Sequence, residues 1–183
     1  MKYIRDKSVQ KPKKPRIAAK TALLIVFALI TYVMESAVPP LVPGMAGARL
    51  GLANVFVLYA LLALGPGPAI ALVVFKGLLG PVFAGSPVGI YYSLAGGALA
   101  LTAMAVLKKS AGFGIAAISA AGAFFHNLGQ CILASILLGA PSVLLSFPAM
   151  AALSVPLGII TGLLCAAVIR VANRSPQPQA PMS

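Results

Sequence analysis

Along this chain, apolar runs of about 17 to 25 residues are separated by short breaks rich in proline, glycine or lysine. The pattern predicts six helices. The first covers residues 17–36 and the second 51–64. The third follows the GPGP break at 65–68 and ends near 84. The fourth covers 88–107, the fifth 113–138, and the sixth 143–171 with interruptions at Pro148 and Pro156. The stretch AVPPLVPGMAGAR at 37–49 is excluded from regular helix, because Pro39, Pro40 and Pro43 remove backbone donors and clash with preceding turns. The second segment is short, which leaves a tilted or partly re-entrant path open beside a full span.

Composition agrees with that pattern. Of the 183 residues, 60% are hydrophobic and 9% charged, against about 25% charged in an ordinary soluble domain. No soluble core of this size hides so much apolar surface. The fold class read here is all-α, a polytopic membrane protein built as a six-transmembrane-helix bundle. Its organisation is a basic tail at 1–16, a membrane domain at 17–171 and a proline-rich tail at 172–183. Both tails are expected on the cytoplasmic side and unfolded.

The net charge of +12 is unevenly placed. Eight of the fourteen basic residues fall in the first twenty positions: Lys2, Arg5, Lys7, Lys11, Lys13, Lys14, Arg16 and Lys20. Beside a first membrane helix, such a tail anchors topology on anionic lipid, and no nucleic-acid partner is expected. Lys108, Lys109, Arg170 and Arg174 fall on the same side in the six-helix arrangement, and Arg49 alone falls opposite. The first apolar segment is too long for a signal-peptide core and lacks a small-residue cleavage site. Cys131 and Cys165 lie in apolar helices and read as small buried hydrophobes.

Polar residues inside the spans are few, and such residues normally face a bundle interior or cavity. Glu35 ends the first helix, Arg49 and Asn54 flank entry to the second, and Lys76 interrupts the third. Tyr91, Tyr92 and Ser93 open the fourth. His126, Asn127 and Gln130 sit inside GAFFHNLGQ in the fifth. Residues four apart share a helix face, so His126 and Gln130 line one pocket while Asn127 turns toward a neighbour. A ligand cavity is one reading. An internal Lys76–Glu35 ion pair, interhelical hydrogen bonds and interfacial tyrosines are the others. Small-residue pairs, Ala18 with Ala22, Ala117 with Ala121 and Gly158 with Gly162, allow close helix approach. They serve packing within the bundle or, on the first helix, docking of a partner.

Catalysis finds little support in the residue types. One histidine and two acids, Asp6 and Glu35, form no metal triad. Holding magnesium against a diphosphate takes carboxylates, and no GxxxxGK[ST] phosphate loop is present. The expectation is therefore no enzyme and no cofactor, with any ATP hydrolysis supplied by another chain.

MES at 34–36, PG at 43–44, RLGLAN at 49–54, YSLAGG at 92–97 and GAFFHNLGQ at 122–130 resemble a bacterial membrane family labelled heptaprenyl diphosphate synthase component I, or Gx transporter family. The resemblance runs from the first helix to the sixth, with several short motifs in order. That family is similar in layout to the substrate-binding S components of energy-coupling factor transporters. The resemblance implies a multi-pass protein of the bacterial inner membrane that captures a small molecule outside. Its implied partners are a transmembrane coupling subunit, docked at Ala18 and Ala22, and cytoplasmic ATPases. Glu35, Arg49, Asn54, Tyr92, His126, Asn127 and Gln130 are its implied signature positions, joined by Lys76 as a binding residue. Extra residues precede Arg49, and Lys76 stands where an arginine is usual, so the fork geometry of a guanidinium is lost there. The expected function is substrate capture for ATP-driven uptake of an isoprenoid- or quinone-related precursor. The alternative is an accessory or scaffold role in heptaprenyl diphosphate synthesis.

Overall fold

The computed structural model describes residues 14–37, 51–110 and 112–174. Every regular element among them is helical. In chain order these are α1 (Lys14–Ser36), α2 (Asn54–Leu64), α3 (Pro66–Phe83), α4 (Gly89–Lys109), α5 (Ile115–Leu138) and α6 (Phe147–Arg174). Among the described residues, five segments are long and apolar enough to cross a membrane, and α2 is the short exception. The chain is thus an all-α, six-helix, multi-pass membrane bundle.

Exposed and buried side chains divide as a lipid-solvated bundle requires. Large apolar residues such as Leu23, Phe27, Ile30, Phe75, Leu145 and Leu164 face outward, while the interior holds an apolar core around Leu58, Leu72, Met104 and Ile118, glycine-lined close contacts and the polar side chains. Between helices that gain nothing from hiding apolar surface, association rests on close backbone packing. At Gly158 a Cβ would meet the Ala123 Cβ at 2.9 Å, and at Gly162 the Ala116 Cα at 2.7 Å. The Gly158–Gly162 pair therefore serves the α5–α6 contact inside the bundle. Ala18 and Ala22 lie on the exposed face of α1.

Helix ends follow local chemistry with a few differences from the sequence pattern. Pro66 and Pro68 begin α3, where a missing N–H is harmless. Pro148 does not interrupt α6 but stands in its first turn, after a 3₁₀ turn at Pro141–Ser146, and α6 continues through Pro156. The short α2 has a distinct geometry. Its last five residues, Ala60–Leu64, widen into a π turn, and Gly65 with φ +106° ends it. Eleven residues span about 16 Å, roughly half an apolar membrane core. Asn54 and Ala53 at its start are already buried, while Lys108, in the last turn of α4, donates to the Leu61 carbonyl at 2.6 Å. So α2 begins inside the bundle and runs to the end where α4 terminates.

Candidate functional site

The polar side chains of five helices converge in the half of the bundle nearer the C-terminal end of α1. Lys76, on α3, is 1% exposed. Its ammonium donates to Asn54 Oδ1 at 2.9 Å. Asn54 is placed by a tight turn before α2: Gly51 takes φ +85°, a left-handed conformation that favours glycine, and its carbonyl accepts the Asn54 N–H at 2.9 Å. The Gly51 N–H in turn donates to Glu35 Oε1 at 2.7 Å. One hydrogen-bonded path therefore joins α1, the entry to α2, and α3. The Glu35 carboxylate is also close enough for its charge to act on Lys76.

A second set comes from α5. His126 and Gln130 are buried one turn apart, with Gln130 Nε2 and His126 Nε2 at 2.8 Å. An amide nitrogen only donates, so the His126 nitrogen accepts and the ring proton sits on Nδ1. That nitrogen turns toward Gly96 of α4, where a Cβ would lie 2.9 Å from Nδ1 and 2.7 Å from the His126 carbonyl oxygen. Gly129 makes the same approach from the other side, 3.0 Å from the Ala95 carbonyl oxygen. Glycine at 96 and 129 thus lets the α4 and α5 backbones close around the histidine. The sets meet at Gly51, whose missing Cβ would stand 2.8 Å from Asn54 Nδ2 and 2.9 Å from His126 Cδ2.

Of the residues singled out in the sequence, Glu35, Asn54, Lys76, Tyr92, His126, Asn127 and Gln130 are all buried in this region of the bundle. Arg49 lies outside the described residues. Tyr91 and Tyr92 part company: Tyr91 is 61% exposed on the bundle surface, and Tyr92 is buried. The hydrogen bond of the Lys76 ammonium goes to Asn54, a neutral acceptor, with the Glu35 charge close by. Tyr32 and Gly51 belong to the same neighbourhood without having stood out in the sequence. Tyr32 packs its ring on Gly80, where a Cβ would meet it at 2.8 Å. Tyrosine in a helix near a membrane surface is too ordinary to signal this, and the role of Gly51 appears only with its φ angle.

Ser93 Oγ and both side-chain polar atoms of Asn127 are buried with no hydrogen-bond partner among the described residues. Buried polar atoms normally find partners, since leaving one unmade costs about 1–3 kcal/mol. Together with the Lys76 ammonium, these amide and hydroxyl donors suit a ligand rich in acceptor oxygens. Metal chemistry is not built from the same set. Among the described residues no three His, Cys, Asp or Glu side chains come together, and the whole chain has two acids.

Comparison with known proteins assigns the chain. A model of the family described as heptaprenyl diphosphate synthase component I matches residues 24–168, and the chain belongs to that family. No match appears among curated proteins or among solved structures. The family assignment corrects two expectations. The reading as a substrate-capture subunit of an ATP-driven, energy-coupling factor transporter is overturned in favour of isoprenoid synthesis, the alternative stated with it. The expectation of no enzymatic role falls with it, because the family is described as a component of a synthase. The physical reason for the error is that a membrane bundle with a polar core looks alike whether it passes a ligand on or holds one for a reaction.

Proposed function

We propose that this member of the heptaprenyl diphosphate synthase component I family is the membrane-embedded component of a prenyl diphosphate synthase. It holds the polar end of an isoprenoid substrate or product in the bundle core and brings the synthase to the bilayer. The observation that carries the reading is the family match, whose span of 24–168 includes all of the buried polar cluster from Glu35 to Gln130.

The chemistry of the site supports a division of labour. Lys76 offers the positive charge, and Asn127 and Ser93 offer donors in a water-poor interior where each hydrogen bond is strengthened. Asn54 fixes the ammonium, Glu35 steadies the turn that carries Asn54, and His126, Gln130 and Tyr92 shape the wall. Magnesium bound to a diphosphate takes carboxylate oxygens. With Asp6 and Glu35 its only acids, this chain does not fit that role, and the carboxylates belong to a partner component. A long prenyl chain is itself a membrane solute, so a component that is all apolar helix outside and polar inside matches both ends of such a molecule. In this reading both termini face the cytoplasm, and the basic N-terminal tail lies on anionic lipid.

Affinity purification of the tagged chain from its own membranes in mild detergent tests the reading. The expected result is stoichiometric recovery of a soluble prenyl synthase chain. Recovery of a transmembrane coupling subunit with ATPases, and no prenyl synthase, overturns it.

A further inference from the structure

Beyond the Lys76 cluster, a second polar feature lies deeper between α2, α5 and α6. A chamber of about 10 Å³ is lined by Gly51, Asn54, Ser119, Ser154, Gly158 and Thr161 among others. That is about the least space that holds one water. Two side-chain atoms in its wall, Asn54 Nδ2 and Ser154 Oγ, are buried with no hydrogen-bond partner among the described residues. Ser154 is 0% exposed and Asn54 7%. The two residues come from different helices and line the same chamber.

The hydrogen-bonding polarity of the wall is determined. Lys76 is a pure donor, so the Asn54 atom it meets at 2.9 Å is the carbonyl oxygen, and the amide nitrogen remains as a donor on a residue that lines the chamber. Thr161 Oγ1 donates to the Gly158 carbonyl at 3.1 Å. Its 3.3 Å contact with Ser119 therefore has Ser119 as donor, which leaves lone pairs on both hydroxyl oxygens. The chamber thus presents a fixed N–H donor, oxygen acceptors and one hydroxyl, Ser154, able to do either. A cation would face the Asn54 N–H with the Lys76 charge behind it. An anion would face the Ser119 and Thr161 lone pairs, and about 10 Å³ is room for about one water.

The geometry points to one structural water bound in this chamber, accepting from Asn54 Nδ2 and bonded to Ser154 Oγ and the Ser119–Thr161 pair. It completes a hydrogen-bonded chain from Lys76 on α3, through Asn54 on α2, to Ser154 on α6. The last helix of the bundle, which contributes no charged residue to the cluster, is tied to it by that water. A bridging water holds such groups nearly as well as a direct bond.

The test is water-to-amide magnetisation transfer in the full chain in lipid nanodiscs with side-chain ¹⁵N-labelled asparagine. The chain has three asparagines, Asn54, Asn127 and Asn173, and the Asn54 signal is identified by its loss in Asn54→Gln. The expected result is transfer from water to the Asn54 amide in the native chain, lost in Ser154→Val, whose added methyl fills the chamber. Absence of transfer in the native chain overturns the proposal. So does unchanged transfer in Ser154→Val, which places the water elsewhere. Thr161→Val keeps the shape of its side chain and serves where Ser154→Val fails to fold. Weakened transfer is expected there, and unchanged transfer overturns the proposal.

Discussion

At the scale of single residues, the most consequential contact is the one between Lys76 and Asn54. A buried ammonium that donates to the Asn54 carbonyl oxygen is sensitive to loss of that acceptor, because a hydrogen bond to a charged group contributes about 1.5–3 kcal/mol. Asn54→Leu is expected to destabilise the bundle by about that amount. The double variant Asn54→Leu with Lys76→Met, which removes charge and acceptor together, is expected to lose less than the two single changes summed. Denaturant unfolding in detergent, arranged as a double-mutant cycle, measures the coupling. Gly96 makes a second case. A methyl there would crowd the His126 carbonyl and ring at 2.7–2.9 Å, so Gly96→Ala is expected to cost about 1–3 kcal/mol as an overpacked core does. Gly112→Ala, with open space around it, is expected to stay within about 0.5 kcal/mol. Thermal unfolding of the two variants side by side decides this. Much at this scale was readable in advance. His126 and Gln130 at a four-residue spacing, and Lys76 alone in an apolar helix, announce a polar core. That Lys76 would donate to Asn54 was not readable, because Asn54 is placed by the left-handed turn at Gly51, which shows only in the backbone angles. Single hydroxyls such as Ser154 and Ser119 in apolar helices carry no pattern at all.

At the scale of elements, α2 departs furthest from a plain membrane span. It starts at buried Asn54 and ends in a π turn whose Leu61 carbonyl is held by Lys108 from α4. The Gly65 N–H closes that turn on the Ala60 carbonyl at 2.8 Å. Lys108→Met removes a charged donor from the last turn of α2, so the Gly65 amide is expected to exchange with solvent deuterium faster. Amides in the middle of α5 should keep their native rates. Hydrogen exchange resolved by fragment checks it, and equal protection at Gly65 in both chains would remove Lys108 from this role. The long helices were legible because length and apolarity alone identify a span. The true start of α2 was not, since GLAN reads as helix by composition while Gly51 and the turn after it spend those residues on entry to the core. Pro148 misled for the opposite reason: proline breaks a helix interior but opens a helix well, and the sequence does not say which position it holds.

At the scale of the whole molecule, a lipid-facing apolar shell surrounds one polar cluster drawn from α1 to α5. Membership of the heptaprenyl diphosphate synthase component I family turns that shape toward isoprenoid synthesis and away from uptake. Function was the least legible level, because the residues that make a polar core in a membrane are the same for capture and for catalysis. Only the matched family separates them. The most direct test is prenyl transfer from a labelled five-carbon diphosphate by the affinity-purified complex, comparing the native chain with Lys76→Met. Long-chain prenyl diphosphate is expected to form with the native chain and to fall at least about tenfold with Lys76→Met, which corresponds to about 1.4 kcal/mol in the barrier. Unchanged synthesis with the variant, or equal synthesis by the partner after this chain is removed, would contradict it.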